Sequence, residues 1–200
     1  LISPDLLFQS GLLDELPAAG ISRSRVEYDK VTTWKNSLLK LAYEHFCQQP
    51  PTDAFQKFCV AAADWLDDYS LFMALKTVHG EKAWTEWDRG AAKRQPTSLR
   101  RWRRELADDI GFHRFVQYVF YEQWQALHHR ANENNIKIVG DLPIFVAHDS
   151  ADVWAAPHLF ALNRFGRPKT KAGVPPDYFS RTGKLWGNPH YRWEAHAGEG

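Results

Sequence analysis

The chain has 200 residues, and 25 Lys and Arg against 24 Asp and Glu leave a formal charge of +1. That balance argues against global electrostatic attraction to nucleic acid or to an anionic membrane. A hydrophobic fraction of 44% excludes a disordered segment, and no apolar run approaches the roughly 18–20 residues of a membrane span. The start, Leu1-Ile2-Ser3-Pro4-Asp5, lacks the basic region and apolar stretch of a signal peptide. Cys47 and Cys59 are too few for a disulfide framework, and their apolar helical context predicts buried thiols in a reducing cytoplasm. The absent initiator Met and the nine Trp are the two oddities of composition.

The first 25 residues are short apolar clusters broken by Pro4, Gly11, Pro17 and Gly20, which predicts irregular structure with a short helix. A helix follows over about 28–46, where Val31, Trp34, Leu38, Leu41 and Ala42 build one apolar stripe. Pro50-Pro51 breaks the chain. From 52 to 135 the text is almost wholly helical: Trp65, Tyr69, Phe72, Met73 and Lys76 share a face, and Gly80 marks a stop. A loop carries Trp84 and Trp87, and Ser98 is a candidate N-cap for a run reaching 109. The longest predicted helix covers about 112–134 and is expected to be well buried, since Phe112, Phe115, Val119, Trp124 and Leu127 recur at spacings of 3 and 4. Residues 136–146 are rich in β-branched side chains and read as a buried strand of an α/β protein. Asp149-Ser150 can cap a short helix from Ala151, and 157–200 reads as a long ordered loop.

Six basic residues between 93 and 104, with Trp102 among them, raise nucleic-acid binding. Residues 51–90 carry seven acids against four bases, so an acidic neighbouring surface is available to neutralise the run, and no nucleic-acid partner is expected. Asp141, His148, Asp149 and Asp152 form the densest ionisable cluster. Helix capping and structural hydrogen bonding account for the last three better than a metal does. Asp141 interrupts an apolar strand in its C-terminal half. There a carboxylate either faces a cavity at the ligand-binding edge of a parallel sheet or pairs with a buried base.

The stretch 173–193 then sets Tyr178, Phe179, Trp186, Tyr191 and Trp193 on a Pro- and Gly-stiffened loop. Rings of few rotatable bonds can stack on the CH faces of sugars, and Asp177, Ser180, Thr182 and Asn188 can direct hydrogen bonds to hydroxyls. The same rings could instead pack the loop onto its own protein.

The run Gly140-Asp141-Leu142-Pro143-Ile144-Phe145-Val146-Ala147-His148-Asp149-Ser150-Ala151-Asp152-Val153-Trp154, with the loop 173–189, closely resembles the 4-α-glucanotransferases. These are the amylomaltases or disproportionating enzymes of glycoside hydrolase family 77. Trp65-Leu66-Asp67-Asp68-Tyr69, Leu71-Phe72-Met73-Ala74-Leu75-Lys76 and the segment 112–127 are similar to the same family, so the resemblance covers essentially the whole chain. It implies an α/β fold: an incomplete TIM (β/α)8 barrel segment with a large helical insertion subdomain. The division expected is 1–50 as barrel segment and first helix, 51–135 as the helical subdomain, and 136–200 as barrel strand plus acceptor-binding aromatic loop.

The implied reaction moves an α-1,4-glucan segment from donor to acceptor with retention, which needs two carboxyls about 5–5.5 Å apart. By the resemblance, Tyr178 and Phe179 hold acceptor glucose units, Trp186 lines the cleft near the scissile bond, and Asp177 assists. Asp141 matches a strand-end carboxylate near the substrate. The family's Arg-[Ile/Val]-Asp-His-Phe-like nucleophile motif and its acid/base Glu do not occur in this sequence. The expectation is therefore an internal piece of such an enzyme, inactive alone, with no catalytic residue, cofactor or metal of its own. Its partners would be α-1,4-glucans or maltooligosaccharides. The competing reading is a non-catalytic α-glucan-binding module.

Overall fold

The computed structural model describes residues 1–18, 20 and 24–199. Helices dominate: α1 (Pro4–Gln9), α2 (Tyr28–Cys47), α3 (Asp53–Ala61), α4 (Ala63–Val78), α5 (Arg89–Ala92), α6 (Pro96–Glu105), α7 (Ala107–Glu133), α8 (Ala151–Ala155) and α9 (Trp193–Glu199). The strands among the described residues are β1 (Lys171–Val174) and β2 (Lys184–Pro189), an antiparallel pair. The chain folds as two compact units: Leu1–Leu66 with Gly111–Val139, and Asp67–Ile110 with Gly140–Gly200.

The first unit is built by helical periodicity. Ser3 caps α1, with Pro4 at its first position, where a missing N–H is harmless. Gln123 holds this start by accepting from Ser3 N at 2.7 Å and donating to Ser3 O at 3.3 Å, while Lys35 Nζ donates to Ile2 O at 2.8 Å. Along α2 the stripe buries Leu38 and Ala42. After Pro50-Pro51, Thr52 caps α3 by accepting from Phe55 N at 3.2 Å. Phe115 of α7 is fully buried, with its ring 4.9 Å from Phe46 and 5.6 Å from Tyr43. Gly111 permits this packing, because a Cβ there would collide with the Tyr43 hydroxyl.

The second unit is organised around three buried indoles, Trp84, Trp87 and Trp154. A buried indole N–H requires an acceptor, and each has one: His148 O at 2.8 Å, Lys82 O at 3.0 Å and Ala91 O at 3.0 Å. Asp149 forms an ion pair with Lys76 and accepts from Trp84 N at 3.1 Å. Ser150 caps α8 as its position predicts, accepting from Val153 N at 3.3 Å. The His148 ring bonds Gly166 O at 2.7 Å, a structural hydrogen bond as expected. Gly166 has φ +79°, and a Cβ there would strike the Trp84 ring. The basic run meets the anticipated acidic surface at Asp68, which accepts two 2.9 Å bonds from Arg94 Nη2 and lies 3.8 Å from Arg103.

Several expectations are corrected. Residues 136–146 form no strand, and Ile136, Val139, Leu142 and Ile144 are exposed. A parallel strand exists only between neighbours, and no described strand flanks this segment, so the described residues are mostly helical with one hairpin and do not themselves show the expected barrel segment. Trp65 and Trp124 are 45% and 38% exposed rather than core residues. Periodicity identified their apolar faces correctly, but not which faces the elements of this chain cover. For the same reason α7 is buried at Phe115 and Val119 but exposed at Tyr121 and Leu127. Helix α6 starts at Pro96 with Gln95 at the cap, leaving Ser98 inside the first turn. Cys47 is exposed and Cys59 half-buried. The long loop of 157–200 contains the hairpin and α9, closed by isolated bridges Phe160↔Tyr191 and Leu162↔Pro168.

Candidate functional site

The residues singled out by sequence lie in the second unit, and all but Asp141 are on the hairpin or its connection. Strand β1 pairs with β2 through Gly173↔Leu185 and Val174↔Lys184, with an irregularity between Lys171 and Gly173. The connection from Pro175 to Gly183 is a stiff turn. Asp177 Oδ1 accepts from Phe179 N at 2.9 Å and Ser180 N at 2.7 Å, and Asp177 N donates to Ser180 O at 2.9 Å. Ser180 Oγ donates to Gly183 O at 2.9 Å. These bonds tie down Asp177 Oδ1, the Asp177 N–H and the Ser180 main chain and hydroxyl, and the two rings of the turn stand outward. Tyr178 and Phe179 are 96% and 94% exposed and meet edge-on, with centroids 5.5 Å apart.

Trp186, on β2, is half exposed, and its ring stands edge-on to Phe145 at 6.1 Å. Phe145 also stacks on Tyr191 at 6.0 Å with 9° between planes, and Asn188 Nδ2 donates to Val146 O at 2.8 Å. The segment 145–146 is thereby fastened to the hairpin. Asn188 and Ser180, expected to point at ligand hydroxyls, instead spend donors on the fold. Asp177 keeps its second carboxylate oxygen outside the turn bonds.

Asp141 lies on the exposed stretch before Phe145, not on a buried strand, and among the described residues it makes no hydrogen bond or ion pair with the aromatic set. The structure thus brings Asp177, Tyr178 and Phe179 together on one turn and Trp186 against Phe145, while Asp141 stands apart. Phe145 is the residue that sequence reasoning missed.

A family model described as 4-alpha-glucanotransferase, of glycoside hydrolase family 77, matches residues 1–200. The chain belongs to the 4-alpha-glucanotransferase family. It is 45% identical to the 4-alpha-glucanotransferase of Synechocystis sp. over 97% of this chain and 40% of that protein. The Thermus thermophilus enzyme of the same name is 46% identical over 90% of this chain and 37% of its own length. The structure of amylomaltase from Streptococcus agalactiae in complex with acarbose superposes with a TM-score of 0.91 at 37% identity, covering all of this chain and 41% of that one. The chain therefore spans about 40% of the length of the family members it matches. No helix among the described residues is long and apolar enough to cross a membrane.

Proposed function

We propose that this chain supplies the acceptor-side glucan contacts of a 4-α-glucanotransferase that moves α-1,4-glucan segments between maltooligosaccharides with retention. The observation that carries the reading is the outward projection of Tyr178 and Phe179 from a turn stiffened by its own internal hydrogen bonds. Large rings in this position serve a ligand rather than the core of their unit. Their stiff support means little entropy is lost when sugar faces stack on them. Trp186 lines the cleft nearer the scissile bond, and the second oxygen of Asp177 accepts from a sugar hydroxyl. Asp141 acts from the strand end near the substrate.

In this reading 136–146 is a barrel strand whose neighbours come from the rest of the enzyme, which accounts for an apolar, β-branched run left exposed. The nucleophile and acid/base carboxylates belong to the remaining part as well, so this chain alone binds glucan without transferring it. Their separation sets retention, and exclusion of water from the glycosyl-enzyme favours transfer over hydrolysis. The segments 1–50, 51–135 and 136–200 then contribute barrel and first helix, helical subdomain, and strand with acceptor loop. Neutral glucans need no electrostatic attraction, in keeping with a net charge of +1. A cytoplasmic setting fits an exposed Cys47 outside any disulfide.

The decisive test is Trp186→Ala in the full-length enzyme. Transfer between maltotriose molecules should fall about tenfold or more, while the melting temperature moves by no more than about 2 °C. A steep fall in melting temperature with unchanged transfer per folded molecule would make the ring structural and end the assignment. Glucose release from maltotriose by the purified 200-residue chain would show that the reacting carboxylates lie within it.

A further inference from the structure

A second concave site lies in the same unit, on residues that the acceptor loop does not use. A cavity of about 330 Å³ has Trp84, Trp154 and Phe160 as its floor and Lys93, Arg94 and Arg192 in its wall, with no Asp or Glu among the lining residues. Arg94 lies over Trp154 with its guanidinium 4.2 Å from the ring centroid. Its Nη2 is committed to Asp68, but its Nη1 is shielded from solvent and has no hydrogen-bond partner among the described residues. A buried guanidinium N–H left unmade is costly, and such groups in native proteins call for an explanation. Lys93 Nζ donates to Arg164 O at 2.8 Å and Arg192 Nη1 to His158 O at 3.0 Å, so both keep further donors. On the other side of Ala92 and Lys93, an adjoining cleft of about 680 Å³ adds Arg89, Arg164 and Arg167, again with no carboxylate in its lining. In a chain of net charge +1, this is a local concentration of positive charge.

We propose that this cavity binds a sugar phosphate: a phosphate monoester on a single ring, with the anion held by Arg94, Lys93 and Arg192 and the ring over the apolar floor. Arg94 is paired with Asp68 on its far side, but no carboxylate enters the cavity beside Lys93, Arg192 and the unpartnered Nη1 of Arg94. Such donors are of no use to a neutral glucan, and they match a dianion whose oxygens accept from guanidinium and ammonium together. The volume lies at the low end for small-molecule sites, which suits one ring rather than a dinucleotide. The adjoining basic cleft concentrates anions near the entrance.

The experiment is calorimetric titration of the full chain with glucose 1-phosphate, glucose 6-phosphate, glucose, inorganic phosphate and AMP. At least one sugar phosphate should bind about tenfold or more tightly than glucose or inorganic phosphate, and more tightly than AMP. Affinity should fall as salt rises from about 50 to about 500 mM. Lys93→Gln and Arg192→Gln should each weaken binding about fivefold, with melting temperature unchanged and maltooligosaccharide binding unaffected. Arg94 is left intact, because its loss would strip Asp68 of its partner. Equal affinity for glucose, equal affinity for inorganic phosphate, AMP as the tightest ligand, or indifference to both substitutions would each overturn the proposal. The reading of the hairpin loop is untouched by any of these outcomes.

Discussion

The two units of this chain build their cores by different means. The first is helical text read at face value: Leu38, Ala42, Phe115 and Val119 meet on periodic faces, and Phe and Tyr rings at 4.9–5.7 Å fill the spaces between them. The second has short helices, a hairpin and long connections, and its core is fixed by directional bonds. Each central indole N–H has a named acceptor, and Asp149 joins Lys76 of α4 to the backbone of Trp84. Where regular periodicity is short, apolar burial alone leaves many packings of similar energy, and polar anchors select one. The aromatic turn lies on the anchored unit, and the sugar-stacking role proposed for its rings requires such a fixed geometry.

The comparison is first tested where both units should respond alike. Trp154→Ala and Phe115→Ala each remove a side chain at 1% and 0% exposure. Each should cost about 3–5 kcal/mol in chemical denaturation. A much smaller loss for Trp154→Ala would show that its ring is not central to the second unit.

The second test separates the units. Asp149→Ala leaves Lys76, whose side chain is 16% exposed, without its carboxylate, and Trp84 N without its acceptor. We expect a loss of about 2–3 kcal/mol, below the value for a fully buried pair because Asp149 is 32% exposed. Removing the polar tether of the first unit by Gln123→Ala should cost about 1 kcal/mol, since its bonds to Ser3 supplement apolar packing. Similar losses at the two sites would erase the distinction drawn here. Hydrogen exchange should show the Asp149 variant loosening α8 and the neighbourhood of Trp84 rather than α2.

The same contrast decides what was legible in the sequence. Helix α2, the cap at Ser150, the structural role of His148 and the acidic counterpart of the basic run are local or charge-balance features, and all could be read from residue order. The aromatic turn was also visible, because Pro175-Pro176-Asp177 and Gly183 announce a stiff loop carrying Tyr178 and Phe179. The core indoles were not. Trp84 and Trp87 lie in a connection without periodicity, and Trp84 is held by Asp149 and His148, more than 60 residues away. The segment 136–146 failed for a related reason: β-branched composition signals a strand only where other strands are present to receive it.

The smallest effects should appear in pH dependence, with one limb for each unit. In the second unit burial pushes the Asp88 carboxyl up, but bonds from Ala91 N and Gly90 N, then Trp102 Nε1 and the charge of His79, outweigh it and hold the group below the ordinary aspartate value. A carboxyl depressed in the folded state stabilises above its unfolded value near 4, and that contribution is lost as pH falls through the folded value. Asp88→Asn should therefore be less stable than the parent at neutral pH, with the difference closing as the acid limb is descended. In the first unit, burial and then the Glu122 carboxylate raise Tyr118 above the ordinary tyrosine range, against a smaller opposing bond from Thr52. A phenol raised in the folded state leaves stability intact below its unfolded value near 10 and lowers it as pH rises through the folded value. Tyr118→Phe should flatten that alkaline limb and leave the acid one alone. If Asp88→Asn is displaced by a constant amount at every pH, the carboxylate acts by shape rather than charge. The second unit would then share the first unit's dependence on packing at this corner.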